Sequence, residues 1–289
     1  MASSDSRIAR SVSGAILTRH SAVASRRVSA LAPTSTIRAA PDSSRWVRRE
    51  DTTLCVSQMR TKAILFDYGL TLVTFEYPTA CLLEVLEMVR PWLGPGPPAA
   101  DWLLFHVLHP LEEDLDGFAS DDEVDYLAFY ERAWQRAGLE VPRDVLYRIL
   151  DLEQQCWDRS VRVAPGALEV LDRLRTSGLR TGICSNAPFP EEMMLRQLRG
   201  NGIAERMDAV IFSSAVGRRK PAPEPYLAAL AELGLPAAAV LFVGDKVRED
   251  YEGPRALGMR AVLCSGIGRT PLPAGIPVVK SLAGLEAFL

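Results

Sequence analysis

The sequence predicts an α/β protein, a parallel-sheet core interrupted after its first strand by an all-helical insertion. Three observations carry that expectation. Short apolar runs recur from Lys62 onward ("AILF", "RTGICS", "DAVIF", "AVLFVG", "RAVLC"), as strands buried on both faces require. After Pro165 these runs alternate with segments of helical periodicity, the pattern of a sheet covered by helices. Between Thr79 and Asp158, by contrast, the chain reads as helix and holds no convincing strand.

"AILFDY" opens the core as a short central strand. In the insertion, "LLEVLEMVRPWL" places Leu82, Val85, Leu86 and Val89 at helical spacing, and "GPGPP" at Gly94–Pro98 ends that helix. "SDDE" at Ser120–Glu123 has the Ser-x-x-Glu form of a capping box and predicts a helix running to roughly Ala137. A further helix is expected after Pro142. The core then resumes with helix "PGALEVLDRLRTSG", strand "RTGICS", helix "PEEMMLRQLRG" and strand "DAVIFSS". It closes through helix "PEPYLAALAELG", strand "AVLFVG", helix "REDYEGPRALG", strand "RAVLCS" and a last helix in "SLAGLEAFL". The expected division is a tail over 1–58, a core over 59–75 and 164–289, and a helical cap over 76–163. No 20–50-residue repeat is present.

Composition bounds the function. The chain has 289 residues, 48% hydrophobic and 24% charged, ordinary for a globular protein. No apolar run approaches the roughly 18 residues that span a bilayer, so no membrane role is expected. The net charge of −3 hides an asymmetry: residues 1–62 carry eleven Arg or Lys against four acids, a local +7, which leaves −10 on the rest. That acidic body argues against a broad nucleic-acid surface. The basic segment 1–58 reads as a disordered tail, one that an early start codon ahead of Met59 would produce. A transit peptide and a basic arm are the competing readings. Five scattered cysteines (Cys55, Cys81, Cys156, Cys184, Cys264) predict buried thiols in a reducing compartment, with neither a disulfide framework nor a zinc site. Only four of the 33 basic residues are Lys, and the Arg excess together with abundant Ala, Pro and Gly points to a bacterial cytoplasmic protein.

Ligands of open parallel sheets bind at the carboxyl ends of the strands. Here those ends carry Asp67, then Ser185 and Asn186, then Ser213 and Ser214, then Asp245, with Lys220 in "GRRKPAPEPY" and Asp250 in "GDKVRED" close behind. Three carboxylates, a hydroxyl, an amide and an ammonium suit an anionic substrate and a hard cation. Taken singly, each has a structural use. Asp67, Ser185 and Asn186 could cap turns or helices, Lys220 could be a solvated charge, and Asp250 could complement a helix dipole. His106 and His109 share a helix face without a further ligand, and a packing role is expected for them. Trp102, Trp134 and Trp157 read as cap core, with one of them able to line a pocket.

Taken in order, "FDYGLTL", "ICSN", "RKPAPEPY" and "VGDKVRED" resemble the four motifs of the haloacid dehalogenase superfamily of hydrolases, from about Lys62 to Ser265. The resemblance implies a Rossmann-like core with a helical cap and a Mg²⁺-dependent phosphohydrolase acting on a small phosphorylated metabolite, as monomer or homodimer. It makes Asp67 the nucleophile that forms an aspartyl-phosphate. Gly69 would offer its carbonyl to the metal, and Thr71, Ser185 and Asn186 would orient phosphate and nucleophile. Lys220 would neutralise charge, and Asp245 and Asp250 would complete the metal site. One departure matters: phosphatases of this superfamily usually carry a second Asp two residues after the nucleophile, and here that residue is Gly69. General acid–base help of that kind is worth about 10²–10⁴-fold, so slow turnover of alkyl phosphates is expected. Glu76 or a cap residue could replace it. Dehalogenase-like or phosphonatase-like hydrolysis, and phospho-ligand binding with little turnover, remain the alternatives. A phospho-accepting receiver domain fits less well because the acids follow Asp67 instead of preceding it, and a dinucleotide site lacks its GxGxxG.

Overall fold

The computed structural model describes residues 60–266 and 272–289. The tail expected over 1–58, and Cys55 with it, lies outside the described residues. Among the described residues eight strands occur: β1 (Ala63–Phe66), β2 (Val73–Thr74), β3 (Arg162–Val163), β4 (Arg180–Ser185), β5 (Ala209–Phe212), β6 (Val240–Gly244), β7 (Arg260–Cys264) and β8 (Val278–Val279). Six of them form one parallel sheet in the order β5-β4-β1-β6-β7-β8. The chain builds outward from β1 through β4 to β5, then crosses back to lay β6 on the other side of β1. The strand order therefore reverses at β1, and a crevice opens at its carboxyl end.

The strand residues are apolar on both faces because both faces are covered. Ile64 and Phe66 pack into one cluster with Leu171 and Leu198, while Ala63 and Leu65 point into the other with Tyr226 and Leu233. Each such fully buried Phe or Leu side chain contributes roughly 1.5–3 kcal/mol relative to exposure.

The helical insertion runs between β2 and β3, which pair antiparallel and tie its two ends together. It contains α1 (Thr79–Val89), α2 (Ala100–Leu103), a π-helical turn (Leu104–Leu108), α3 (His109–Asp116), α4 (Tyr126–Arg136) and α5 (Arg143–Ser160). The predicted stripe of α1, Leu82, Val85, Leu86 and Val89, is buried in a core of the cap's own with Tyr130, Trp134, Ile149 and Leu150. His106 stacks on Trp102 and His109 meets Tyr77 and Phe105 edge-on, the packing role expected. Among the described residues no helix is long and apolar enough to cross a membrane.

Two expectations are overturned. The Ser120–Glu123 capping box does not form. Helix α4 starts at Tyr126, and Asp125 caps it by accepting the Ala128 N–H at 3.0 Å. The acids before it are drawn away by core arginines: Asp122 bridges to Arg218, and Glu123 pairs with Arg219 at 2.9 Å. The cysteines also differ. Cys184 and Cys264 are buried thiols, but Cys81 on α1 and Cys156 on α5 are joined as a disulfide with Cα atoms 5.6 Å apart. These two helices pack side by side, so residues 75 apart in sequence become neighbours, which spacing alone cannot disclose.

Candidate active site

Register sets the site. The Asp67 N–H continues the β1 ladder by donating to the Val243 carbonyl at 2.8 Å, so the Asp67 side chain stands just past the strand end. Ser185 ends β4, and Asp245 follows β6 immediately. Ser185 Oγ donates to Asp67 Oδ1 at 2.9 Å, and Lys220 Nζ donates to the same oxygen at 2.8 Å. Lys220 Nζ also reaches Asp250 Oδ1 at 2.6 Å. The second Asp250 oxygen accepts the backbone N–H groups of Asp245 and Lys246 at 3.0 and 2.9 Å. Asp250 is therefore a bracket that holds both the lysine and the loop after β6. Gly244 makes this possible, because a Cβ there would overlap the Asp250 carboxyl.

Oxygens of Asp67, Asp245 and Asp250 lie within 4.8 Å of one another, and all three residues are buried. Burial, then repulsion by Asp67 and Asp250, pushes the Asp245 carboxyl up to about 7. Its Oδ1 is buried without any hydrogen-bond partner. Burial works against the Lys220 charge, but Asp250 and Asp67 outweigh it and hold the ammonium protonated well above the usual lysine range. Three carboxylates facing one ammonium, with one oxygen orphaned, have the donor set and charge deficit that fit a Mg²⁺-sized cation.

The remaining sequence candidates sit as follows. Asn186 is turned to the lysine loop: its Nδ2 donates to the Lys220 carbonyl at 3.0 Å, and its Oδ1 accepts the Lys220 N–H at 2.7 Å. Thr71 is fully buried, does not line the cavity, and its Oγ1 has no partner. Gly69 lines the cavity. Glu76 is exposed, away from the cavity lining, with its N–H on Ser160 Oγ at 3.1 Å.

The haloacid dehalogenase-like hydrolase profile matches residues 61–258 of this chain. The chain belongs to that family. Among curated proteins, this hydrolase is 36% identical over 127 residues to phosphoglycolate phosphatase of Rhodospirillum rubrum, 44% of this chain and 48% of that one. It is 38% identical over 97 residues to N-acetylmuramic acid 6-phosphate phosphatase of Pseudomonas aeruginosa, 33% of this chain and 41% of that one. The hydrolase thus spans about half the length, or less, of these relatives. Among solved structures it resembles a HAD phosphatase from Thermococcus onnurineus (TM-score 0.57, 21% identity, 79% of this chain and 97% of that one). A 2-haloacid dehalogenase from Pseudomonas syringae pv. tomato is similar in the same way (TM-score 0.58, 22% identity, 78% and 97%). At those identities the likeness is one of fold.

The cap of the hydrolase closes a cavity of about 410 Å³ over Asp67. Its walls include Phe75, Glu112, Gln154 and Trp157 from the cap side and Arg219, Lys246 and Arg248 from the core. Trp157 is the tryptophan that reaches the pocket, while Trp134 is fully buried in the cap core. Gln154 on the cap wall, and Glu153 beside it in the chain, escaped the sequence reading although a signal existed. On α5 the buried stripe Leu146, Ile149, Leu150 continues into Glu153 and Gln154, polar residues at apolar positions.

Burial pushes the Glu153 carboxyl up to about 8; its Tyr130 hydrogen bond at 2.8 Å opposes the shift and Glu112 adds to it. Because the folded value is the higher one, its stabilising effect is complete below about 4.5 and is lost as pH rises through about 8. Glu153→Gln, uncharged and still able to accept from Tyr130, is therefore expected to melt several degrees above the native protein at high pH. The gap should open above pH 4.5 and level off above pH 8, in thermal melts across that range. A pH-independent difference would contradict it.

Proposed function

We propose that this hydrolase is a Mg²⁺-dependent phosphohydrolase that acts on a small phosphorylated metabolite through an aspartyl-phosphate on Asp67. The observation that carries the reading is the partnerless Asp245 Oδ1 beside two further buried carboxylates. Asp67, Asp245 and the Gly69 carbonyl would hold the ion, with Asp250 completing the set. Bound there, Mg²⁺ supplies positive charge to the transferring phosphoryl group.

The chain's own groups divide the work. Asp67 Oδ1 accepts from both Ser185 and Lys220, which leaves Oδ2 to attack phosphorus. The P–O bond to the leaving group breaks as the Asp67–phosphorus bond forms, and water then releases inorganic phosphate and restores the carboxylate. Lys220 balances charge on the nucleophile and the phosphoryl oxygens, and Ser185, whose one O–H goes to Asp67, holds the nucleophile in orientation. Asn186 holds the Lys220 backbone in place. The names of the two phosphatase relatives agree with this chemistry.

Hydrolysis of acetyl phosphate and p-nitrophenyl phosphate tests it. Phosphate release that needs Mg²⁺, stops with chelator and returns on re-addition is the expected result. Chelator-insensitive release, or halide release from haloacids with no phosphatase activity, would overturn it.

A further inference from the structure

Within the cap lies a second cavity, with about 10 Å³ available to the centre of a water-sized group. That is room for one water molecule or one ammonium group, and too little for a phosphate. Its polar lining is Tyr77, Glu112, Tyr126, Glu153, Gln154 and the indole of Trp157; no Lys, Arg or His lines it. Glu112, Gln154, Trp157 and Phe189 also line the reaction cavity, so the two spaces share a wall.

The tyrosine hydroxyls, the Gln154 amide and the Trp157 indole bring donors to the lining, but none of them a positive charge. Gln154 is 3% exposed and its Oε1 is buried with no partner, as is Tyr77 Oη. Two carboxyls, Glu112 and Glu153, line the same cavity and, with Gln154 Oε1, make three acceptors. A primary ammonium is the complementary group: it brings three donors, no acceptor and a positive charge. The ring of Trp157, held edge-to-face against Tyr77 at 5.3 Å, adds a surface that favours cations.

We propose that this cavity seats a primary ammonium group on the far end of the substrate, so that the hydrolase prefers phosphoesters of amino-bearing alcohols or sugars. The inference rests on the phosphohydrolase reading and deepens it: phosphate lies at Asp67, and the cation lies between Glu112 and Gln154. The acids agree with an unfilled cation seat, since burial, followed by Asp116, pushes Glu112 up to about 7, and burial lifts Glu153 likewise. A carboxylate at the substrate's far end would instead meet Glu112 and Glu153.

Calorimetric titration of Asp67→Asn protein with Mg²⁺ tests the seat without turnover. Aminobutyl and aminohexyl phosphate are compared with butyl, hexyl and carboxypentyl phosphate. The better-fitting amine is expected to bind about tenfold tighter than its alkyl and carboxyalkyl counterparts. Glu153→Gln or Gln154→Leu, each combined with Asp67→Asn, should shrink that ratio to about twofold or less. The ratio is taken within each protein, so partial unfolding of a variant cancels. Equal affinity for amine and alkyl esters at both lengths would overturn the proposal and leave the cavity to a buried water; acetyl phosphate turnover by the native protein would show the phosphohydrolase reading intact. Binding of butylammonium alone, with no phosphate bound or hydrolysed, would keep the seat and overturn the reading. No binding of any probe would overturn both.

Discussion

Asp67→Asn is expected to lower phosphoester turnover by about 10⁴-fold or more while leaving the fold and the pocket in place. The amide offers no anionic oxygen to phosphorus, so the covalent route closes. The surroundings survive the change. Ser185 and Lys220 keep an acceptor at the same position, and Lys220 retains Asp250 at 2.6 Å. Removing one of three clustered carboxylates also relieves the repulsion that adds to burial in lifting Asp245. A melting temperature equal to or above the native value should therefore accompany the loss. Single-turnover assays with labelled acetyl phosphate give the decisive reading: label is trapped on native protein and not on the variant. Residual activity within about a hundredfold of native would mean that water attacks phosphorus directly, with Asp67 serving only the metal.

The residues of the candidate site were legible because fold and side chains meet at strand ends. Once "AILF" is a buried central strand, Asp67 must stand at its carboxyl edge, and the parallel ladder brings Ser185 and Asp245 to the same edge. Lys220 was harder, since it lies in a loop; its motif context located it, and the two carboxylates it joins explain why a lysine can be 3% exposed. Strands β2, β3 and β8 have two residues each, too few for periodicity to register. The Ser120–Glu123 segment misled because local capping competes with long-range ion pairs, and Arg218 and Arg219 are almost a hundred residues away. Glu112 went unread for a related reason. A carboxylate on an amphipathic helix reads as solvated until the packing partner of that face is known. The chemistry of the core was thus open to the sequence and the chemistry of the cap was not, because the core motifs are local and the cap wall is assembled from distant helices.

Gly69→Asp is expected to raise turnover of alkyl phosphates by about tenfold to a hundredfold and to change acetyl phosphate turnover little. Gly69 lines the reaction cavity two residues from Asp67, outside the left-handed region, and a Cβ there would meet Phe75 Cε1 at 3.6 Å, an ordinary contact. An aspartate can thus enter without strain where it can protonate a departing alkoxide. An acyl phosphate leaves as a stable carboxylate and gains nothing from that proton, so the effect must grow with the basicity of the leaving group. Gly69→Asn separates shape from proton transfer, because it fills the same space without a titrating proton. Gains that are equal for all leaving groups, or that the asparagine variant reproduces, would show that Gly69 limits packing and not proton supply. No gain at all, with brisk alkyl phosphate turnover by the native protein, would place the proton donor on the cap, where Glu112 faces the same cavity and is held up to about 7.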